Sequence, residues 1–248
     1  MQNIYKKKIA SLYSSINFKK KYGNRIFTYH SINKKKNSTT SGIYQLDKEL
    51  FCSHINYLIE KKVDFKFIDN FDNTKSNYLL TFDDGFKNFK SDIVEFLSVN
   101  EIPCMIFLSP DLIKSNNHNY LNQEDVKELS KNKFIKIGSH SYNHQKLIDF
   151  DEKNLNFQLE TSKKWLEDLT SQEVNSISYP YGAFNKIILD KVKEHKYKYG
   201  FTTRFNFHYN FQDNFRIPRI DIWDSDDIQT FQKKIEGKWN WMRFFSKY

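Results

Sequence analysis

Cysteine, proline, glycine and methionine are all scarce in this 248-residue chain, which holds 2 Cys, 4 Pro, 7 Gly and 3 Met. Two cysteines build neither a disulfide framework nor a thiolate zinc site. Cys52 and Cys104 both stand in apolar stretches, where a Cys behaves as a small buried hydrophobe. Nothing resembling a Pro/Gly linker divides the chain into two folded units. Long apolar runs are missing as well: the longest candidates, IPCMIFL and NYLLTF, have strand length rather than the roughly 18–20 residues of a membrane span. The N-terminus starts basic but has no continuous apolar stretch and no small-residue cleavage site, so a cytoplasmic location, at most peripheral to a membrane, is expected.

Acidic residues are absent before Asp47. The chain carries 39 Lys+Arg against 30 Asp+Glu, a net charge of +9, and ten of the basic residues lie in the first 46 positions. The remainder therefore has 29 basic against 30 acidic groups, a balance of −1. A nucleic-acid binder spreads its positive charge over the fold, so no nucleic-acid partner is expected. Residues 1–24 read as a basic arm with Ile9, Leu12 and Ile16 on one side and peripheral membrane contact as its expected role, and residues 25–248 read as one folded domain. Lys34, Lys35 and Lys36 fall in a polar loop spanning 33–45.

What the chain does have is alternation. Short β-branched and aromatic runs recur at RIFTYH (25–30), NYLLTF (77–82), PCMIFLS (103–109), FIKIGS (134–139), NSISYP (175–180), YGFTT (199–203) and FRIPRI (215–220). Amphipathic segments lie between and after them, at 47–62, 86–99, 123–131, 151–170, 184–196 and 225–236. Some seven strand–helix units around a single core predict an α/β (β/α) barrel rather than an open doubly wound sheet. No dinucleotide fingerprint or phosphate loop is present.

Most of these strands end in polar residues, which a barrel gathers at its C-terminal rim, where active sites of such barrels are built. They are His30, Asp83-Asp84-Gly85, the run Ser139-His140-Ser141-Tyr142-Asn143-His144, Pro180-Tyr181-Gly182 and Asp221. The H-x-x-x-H spacing of His140 and His144 sets two imidazoles on one side of a helical turn. With a carboxylate from another strand end they form a donor set for a divalent metal with an open position. Of two consecutive acids, one can bind the metal while its neighbour faces the reacting water. The plainer alternative for Asp83-Asp84-Gly85 is a turn capping the next helix. His54, His118, His195 and His208 read as packed or surface histidines, and the tail KWNWMRFFSKY (238–248) as a last packed helix or a membrane-resting segment.

TFDDG (81–85), HSYNH (140–144) and SYPYG (178–182) together resemble three successive motifs of the polysaccharide deacetylase family, carbohydrate esterase family 4, whose catalytic unit is the NodB homology domain. The likeness runs from about Arg25 to about Gly237. It implies a distorted (β/α)₇ TIM-like barrel and metal-dependent hydrolysis of acetyl groups on an N-acetylated glycan. It implies Asp84, His140 and His144 as ligands of one divalent ion, zinc first with cobalt or nickel as alternatives, and Asp83 as general base. Pro180 precedes Tyr181, whose backbone N–H matches the oxyanion donor. Three departures stand out: Ser178 replaces the usual Arg of the third motif, Asp221 and Trp223 are closer than in the usual fourth motif, and no histidine follows His208. The branch acting on poly-N-acetylglucosamine shows Y-P-Y-G without the Arg and a Tyr-His pair early in the chain. Tyr29-His30 matches it, making His30 the candidate general acid, with Arg219 supplying the missing charge beside Asp83 and Asp221 orienting the site. A glycoside hydrolase or a non-catalytic glycan- or membrane-binding barrel are the competing functions; the first needs two acids about 5–10 Å apart, for which adjacent Asp83 and Asp84 are poorly placed.

Overall fold

The computed structural model describes residues 23–33, 44–209 and 213–245. Residues 1–22 of the expected basic arm, the three lysines at 34–36 and the last residues of the tail, 246–248, lie outside the described residues. The described strands are β1 (Arg25–Tyr29), β2 (Ser31–Asn33), β3 (Gln45–Asp47), β4 (Asp64–Phe65), β5 (Asn77–Phe82), β6 (Cys104–Leu108), β7 (Ile135–Ser139), β8 (Ser176–Ser178), β9 (Tyr199–Phe205) and β10 (Ile217–Asp221). The α-helices are α1 (Lys48–Glu60), α2 (Val94–Val99), α3 (Pro110–Lys114), α4 (Gln123–Ser130), α5 (Glu152–Thr170), α6 (Lys186–Glu194) and α7 (Ile228–Ile235).

Seven strands, in the order β1-β10-β9-β8-β7-β6-β5, close on themselves because β5 pairs back onto β1. Every pair is parallel, with Phe27 opposite Leu80 on one side of β1 and opposite Ile220 on the other. The chain is a single-domain, distorted (β/α)₇ barrel, as expected. Part of its distortion lies between β9 and β10, where the described residues of the connection form no helix and the register shifts between Ile217 and Arg219.

The two-residue alternation of a strand explains the two cores. Ile26, Leu79, Met105, Phe107, Phe201 and Ile217 face inward and fill the barrel floor. Phe27, Leu80, Phe82, Ile106 and Ile220 face outward and pack under the helices. Because both faces are buried, the strands read as nearly continuous apolar runs. The Arg219 guanidinium lies 5.7 Å from the Phe107 ring centre and 5.9 Å from that of Phe201, so the interior turns from apolar to charged on moving toward the rim. Helices start where an Asp or Asn carboxyl or amide oxygen takes a free backbone N–H: Asp47 for α1, Asn122 for α4, Asp151 for α5, Asn185 for α6 and Asp227 for α7.

The structure departs from the sequence reading locally. The expected helix over 86–99 splits into a π-helical turn at Phe89–Ile93 followed by α2. The ends of the expected loop 33–45 pair with each other, Ser31 opposite Gln45 and Asn33 opposite Asp47. Residues 240–245 of the tail form a 3₁₀ turn, with Trp239 buried and Phe244 and Phe245 exposed. Among the described residues no helix is long and apolar enough to cross a membrane.

Candidate active site

Asp83 and Asp84 leave β5 through two successive left-handed residues, Asp84 at φ 72° and Gly85 at φ 72°. That reversal sends adjacent carboxylates to different neighbours. Asp83 turns into the barrel and is buried. Its two oxygens accept from Arg219, Oδ1 from Nη1 at 2.8 Å and Oδ2 from Nη2 at 2.7 Å, a bidentate pair. The Ser178 hydroxyl adds a third bond to Asp83 Oδ2 at 3.1 Å, and itself accepts from Arg219 Nη2 at 2.9 Å. Burial alone would raise the Asp83 carboxyl, but the adjoining Arg219 and His140 charges outweigh it and hold the group down at about 2. Asp83 is therefore ionised at any physiological pH.

Asp84 meets the two histidines. Its Oδ1 lies 3.3 Å from His140 Nε2 and 2.9 Å from His144 Nε2. The imidazoles converge, ring centres 4.8 Å apart, through a turn with Ser141 and His144 at positive φ rather than through the helical turn expected from their spacing. Gln158 on α5 fastens this turn by accepting from the backbone N–H groups of Tyr142 and Asn143. His140 Nδ1 donates to the Ser178 carbonyl at 2.7 Å, which leaves the lone pair of the neutral ring on Nε2, the atom beside Asp84 that can ligate a metal. One atom from each of Asp84, His140 and His144 falls within 4.8 Å of the others. A tetrahedral zinc with bonds of about 2.0–2.1 Å has edges of about 3.3 Å; the two Asp84 separations are near that edge, and the set as a whole would draw together around one divalent ion.

A cleft of about 450 Å³ opens above this group and is lined by His30, Asp83, Asp84, His140, His144, Tyr181 and Asp221. His30 stands at the end of β1, its ring 4.4 Å from that of Tyr44. His30 Nδ1 and Asp221 Oδ1 are both buried without a hydrogen-bond partner among the described residues. Burial raises the Asp221 carboxyl, partly offset by Arg219, His30 and Lys234. Tyr181 sits at φ 59° in the Pro180–Gly182 turn, 57% exposed, with its ring 5.1 Å from His144.

The structure places Arg219 beside Asp83, where the sequence reading set it, and Trp223 of the fourth motif away from the cleft lining. Arg219 is wholly buried behind Asp83, so it reaches the base and not the cleft. Trp223, two residues past the end of β10, turns outward and packs edge-on against Trp239 at 5.8 Å. Pro180 is buried beneath Tyr181. Tyr44, Phe86 and Thr203, which also line the cleft, carried no motif that could have flagged them. His54 bonds the Asp226 carbonyl and His195 the Asn156 side chain, and neither belongs to the metal-type cluster.

A closed parallel barrel with an Asp-His-His set and an ionised carboxylate beneath a cleft at its C-terminal rim defines a class, that of barrels whose rim carries a candidate metal-type site. This chain belongs to the polysaccharide deacetylase family, whose model matches residues 71–200, just over half of its length. It is 25% identical to YxkH of Bacillus subtilis over 186 residues, 72% of this chain and 63% of that protein. It is 25% identical to a poly-beta-1,6-N-acetyl-D-glucosamine N-deacetylase of Staphylococcus epidermidis over 174 residues, 66% of this chain and 60% of that one. The chain thus spans about three fifths of the length of these curated relatives. The fold is shared with the Streptococcus pyogenes deacetylase PplD in complex with acetate, at TM-score 0.78 and 19% identity over 86% of this chain and 98% of that one.

Proposed function

We propose that the cleft removes acetyl groups from N-acetylhexosamine residues of a polysaccharide, with poly-N-acetylglucosamine as the first substrate to try. The observation that carries this reading is the placement of an ionised, Arg-clamped Asp83 directly beside the convergent Asp84, His140 and His144. Family membership and the named relative from Staphylococcus epidermidis support it.

Asp84, His140 and His144 hold the metal, zinc in preference to cobalt or nickel, which when bound polarises the acetyl carbonyl and acidifies a water. Asp83 takes the proton of the attacking water as its oxygen bonds to the acetyl carbon. Arg219 and Ser178 keep that carboxylate ionised and aimed. The backbone N–H of Tyr181 faces the oxygen that gains charge, a contribution of about 3 kcal/mol for a well-placed donor. His30 gives a proton to the sugar nitrogen as the C–N bond breaks, with Asp221 beside it, and acetate and the amino sugar leave.

Acetate release from N-acetylglucosamine oligomers tests this with the zinc-loaded chain. Turnover is expected to vanish with chelator, to return with added zinc, and to drop about 10²–10⁴-fold in His30→Ala while bound metal stays constant. No release with zinc, cobalt or nickel sinks the substrate assignment; normal turnover in His30→Ala sinks its role as the acid.

A further inference from the structure

A lysine with no exposed surface stands behind the wall of the cleft that His30 and Asp221 form. Lys234, on α7, donates from Nζ to the backbone carbonyl of Asp221 at 2.7 Å and to the Asp226 carboxylate. Its ammonium lies against three aromatic rings, with the centres of Trp223 at 3.9 Å, Trp239 at 5.2 Å and Phe205 at 5.6 Å. Asp226 is equally buried and accepts a second bond from the Trp223 N–H at 2.8 Å. The Asp226 carbonyl accepts in turn from His54 Nε2 at 2.7 Å. These contacts all close one short turn, residues 221–226, which begins at the acid lining the cleft.

Two buried charges are a costly way to shape a turn, since each ion must be stripped of water and the aromatic faces return only part of that cost. What the arrangement delivers is a fixed backbone at Asp221. The carboxylate of that residue has no hydrogen-bond partner on Oδ1 among the described residues, so its placement follows the backbone that carries it. We propose that Lys234 is a positioning residue: by pinning the Asp221 carbonyl and closing the 221–226 turn through Asp226, it holds Asp221 in place beside His30. The role rests on the reading of His30 as the acid that protonates the leaving amine.

The test exploits leaving-group chemistry in the zinc-loaded full chain. An amide nitrogen must be protonated to leave, whereas the phenolate of an activated aryl acetate leaves without a proton. Lys234→Met strands the Asp226 charge, so the variant to rely on is Lys234→Met with Asp226→Asn, which removes both charges at similar volume and is the kind of replacement buried pairs tolerate. If Lys234 positions the acid side, the double variant loses about 10²-fold in kcat on N-acetylglucosamine oligomers at unchanged KM and bound zinc, yet hydrolyses the aryl acetate like the parent. Equal losses on both substrates, or none on either, overturn the proposal, and so does a double variant too unfolded to bind zinc, because the pair is then needed for the fold itself. His30→Ala run alongside separates the two readings. If it shows the amide-specific loss and the double variant does not, only the role of Lys234 fails; if His30→Ala lacks the split, the acid assignment fails and takes the proposal with it.

Discussion

Arg219 uses all five of its N–H donors inside the protein: Nε to the Thr202 carbonyl, Nη1 to Thr81 Oγ1 and Asp83 Oδ1, Nη2 to Asp83 Oδ2 and Ser178 Oγ. No other side chain can fill that planar fork. Lysine keeps the charge but makes a single-point contact, so Arg219→Lys is expected to fold and to lose about 10²-fold in kcat through a loosened Asp83. Arg219→Met leaves a buried carboxylate unpaired and is expected to cost about 3–5 kcal/mol of stability. Denaturant melts and acetate release measure both, and parental turnover in Arg219→Lys rules out the clamp. The residue was legible from RIPRID as the charge replacing the Arg that the third motif lacks at Ser178, but its depth was not: only the closed barrel shows that it is wholly buried behind the base. Lys234 was illegible for a related reason, since a lysine next to Lys233 on an amphipathic helix reads as solvent-facing until the aromatic residues around it are known.

At the level of elements, the seven barrel strands and the longer helices were legible because each carries a repeated physical signal. Cys104–Leu108 is buried at every position, and Lys186–Glu194 is amphipathic behind an Asn cap. Elements without such a signal were missed. Pro110–Lys114 is five residues long, too short for a period to show, and the pairing of Ser31–Asn33 with Gln45–Asp47 is made by the fold across an intervening segment. The rim turns sit between these cases: their residue types stood out, their conformation did not. Gly182 shows why, with φ at 66° and a Cβ position that would fall 2.0 Å from Thr203 Oγ1 on β9. Gly182→Ala must move β9 or the turn, so a loss of about 1–3 kcal/mol is expected, with reduced turnover because Tyr181 is displaced. A melt and turnover matching the parent would show that this turn has slack.

Across the whole molecule, the first and last described strands, β1 and β10, lie side by side in the barrel, and two buried histidines sit near that seam. His208 faces Asn24 in a backbone bridge beneath β1, and His54 on α1 lies flat against Phe231 on α7, ring centres 4.2 Å apart. Burial lowers both imidazoles to about 4, from 6.5. With the folded-state value below the unfolded one, only the unfolded chain takes up protons between pH 6.5 and 4, so stability rises with pH across that window and falls on acidification. Each group contributes up to about 1.4 kcal/mol per pH unit there, and the loss levels off below pH 4. Other groups of the chain titrate in this window too, so the parent's slope is a sum over several sites. His54→Phe keeps the ring stack, gives up the bond to the Asp226 carbonyl and cannot titrate. Its melting temperature is expected to fall less steeply than the parent's between pH 6.5 and 4.5 at matched zinc, the difference in slope being the His54 share. Parallel slopes would mean that His54 contributes nothing to the acid sensitivity of the fold.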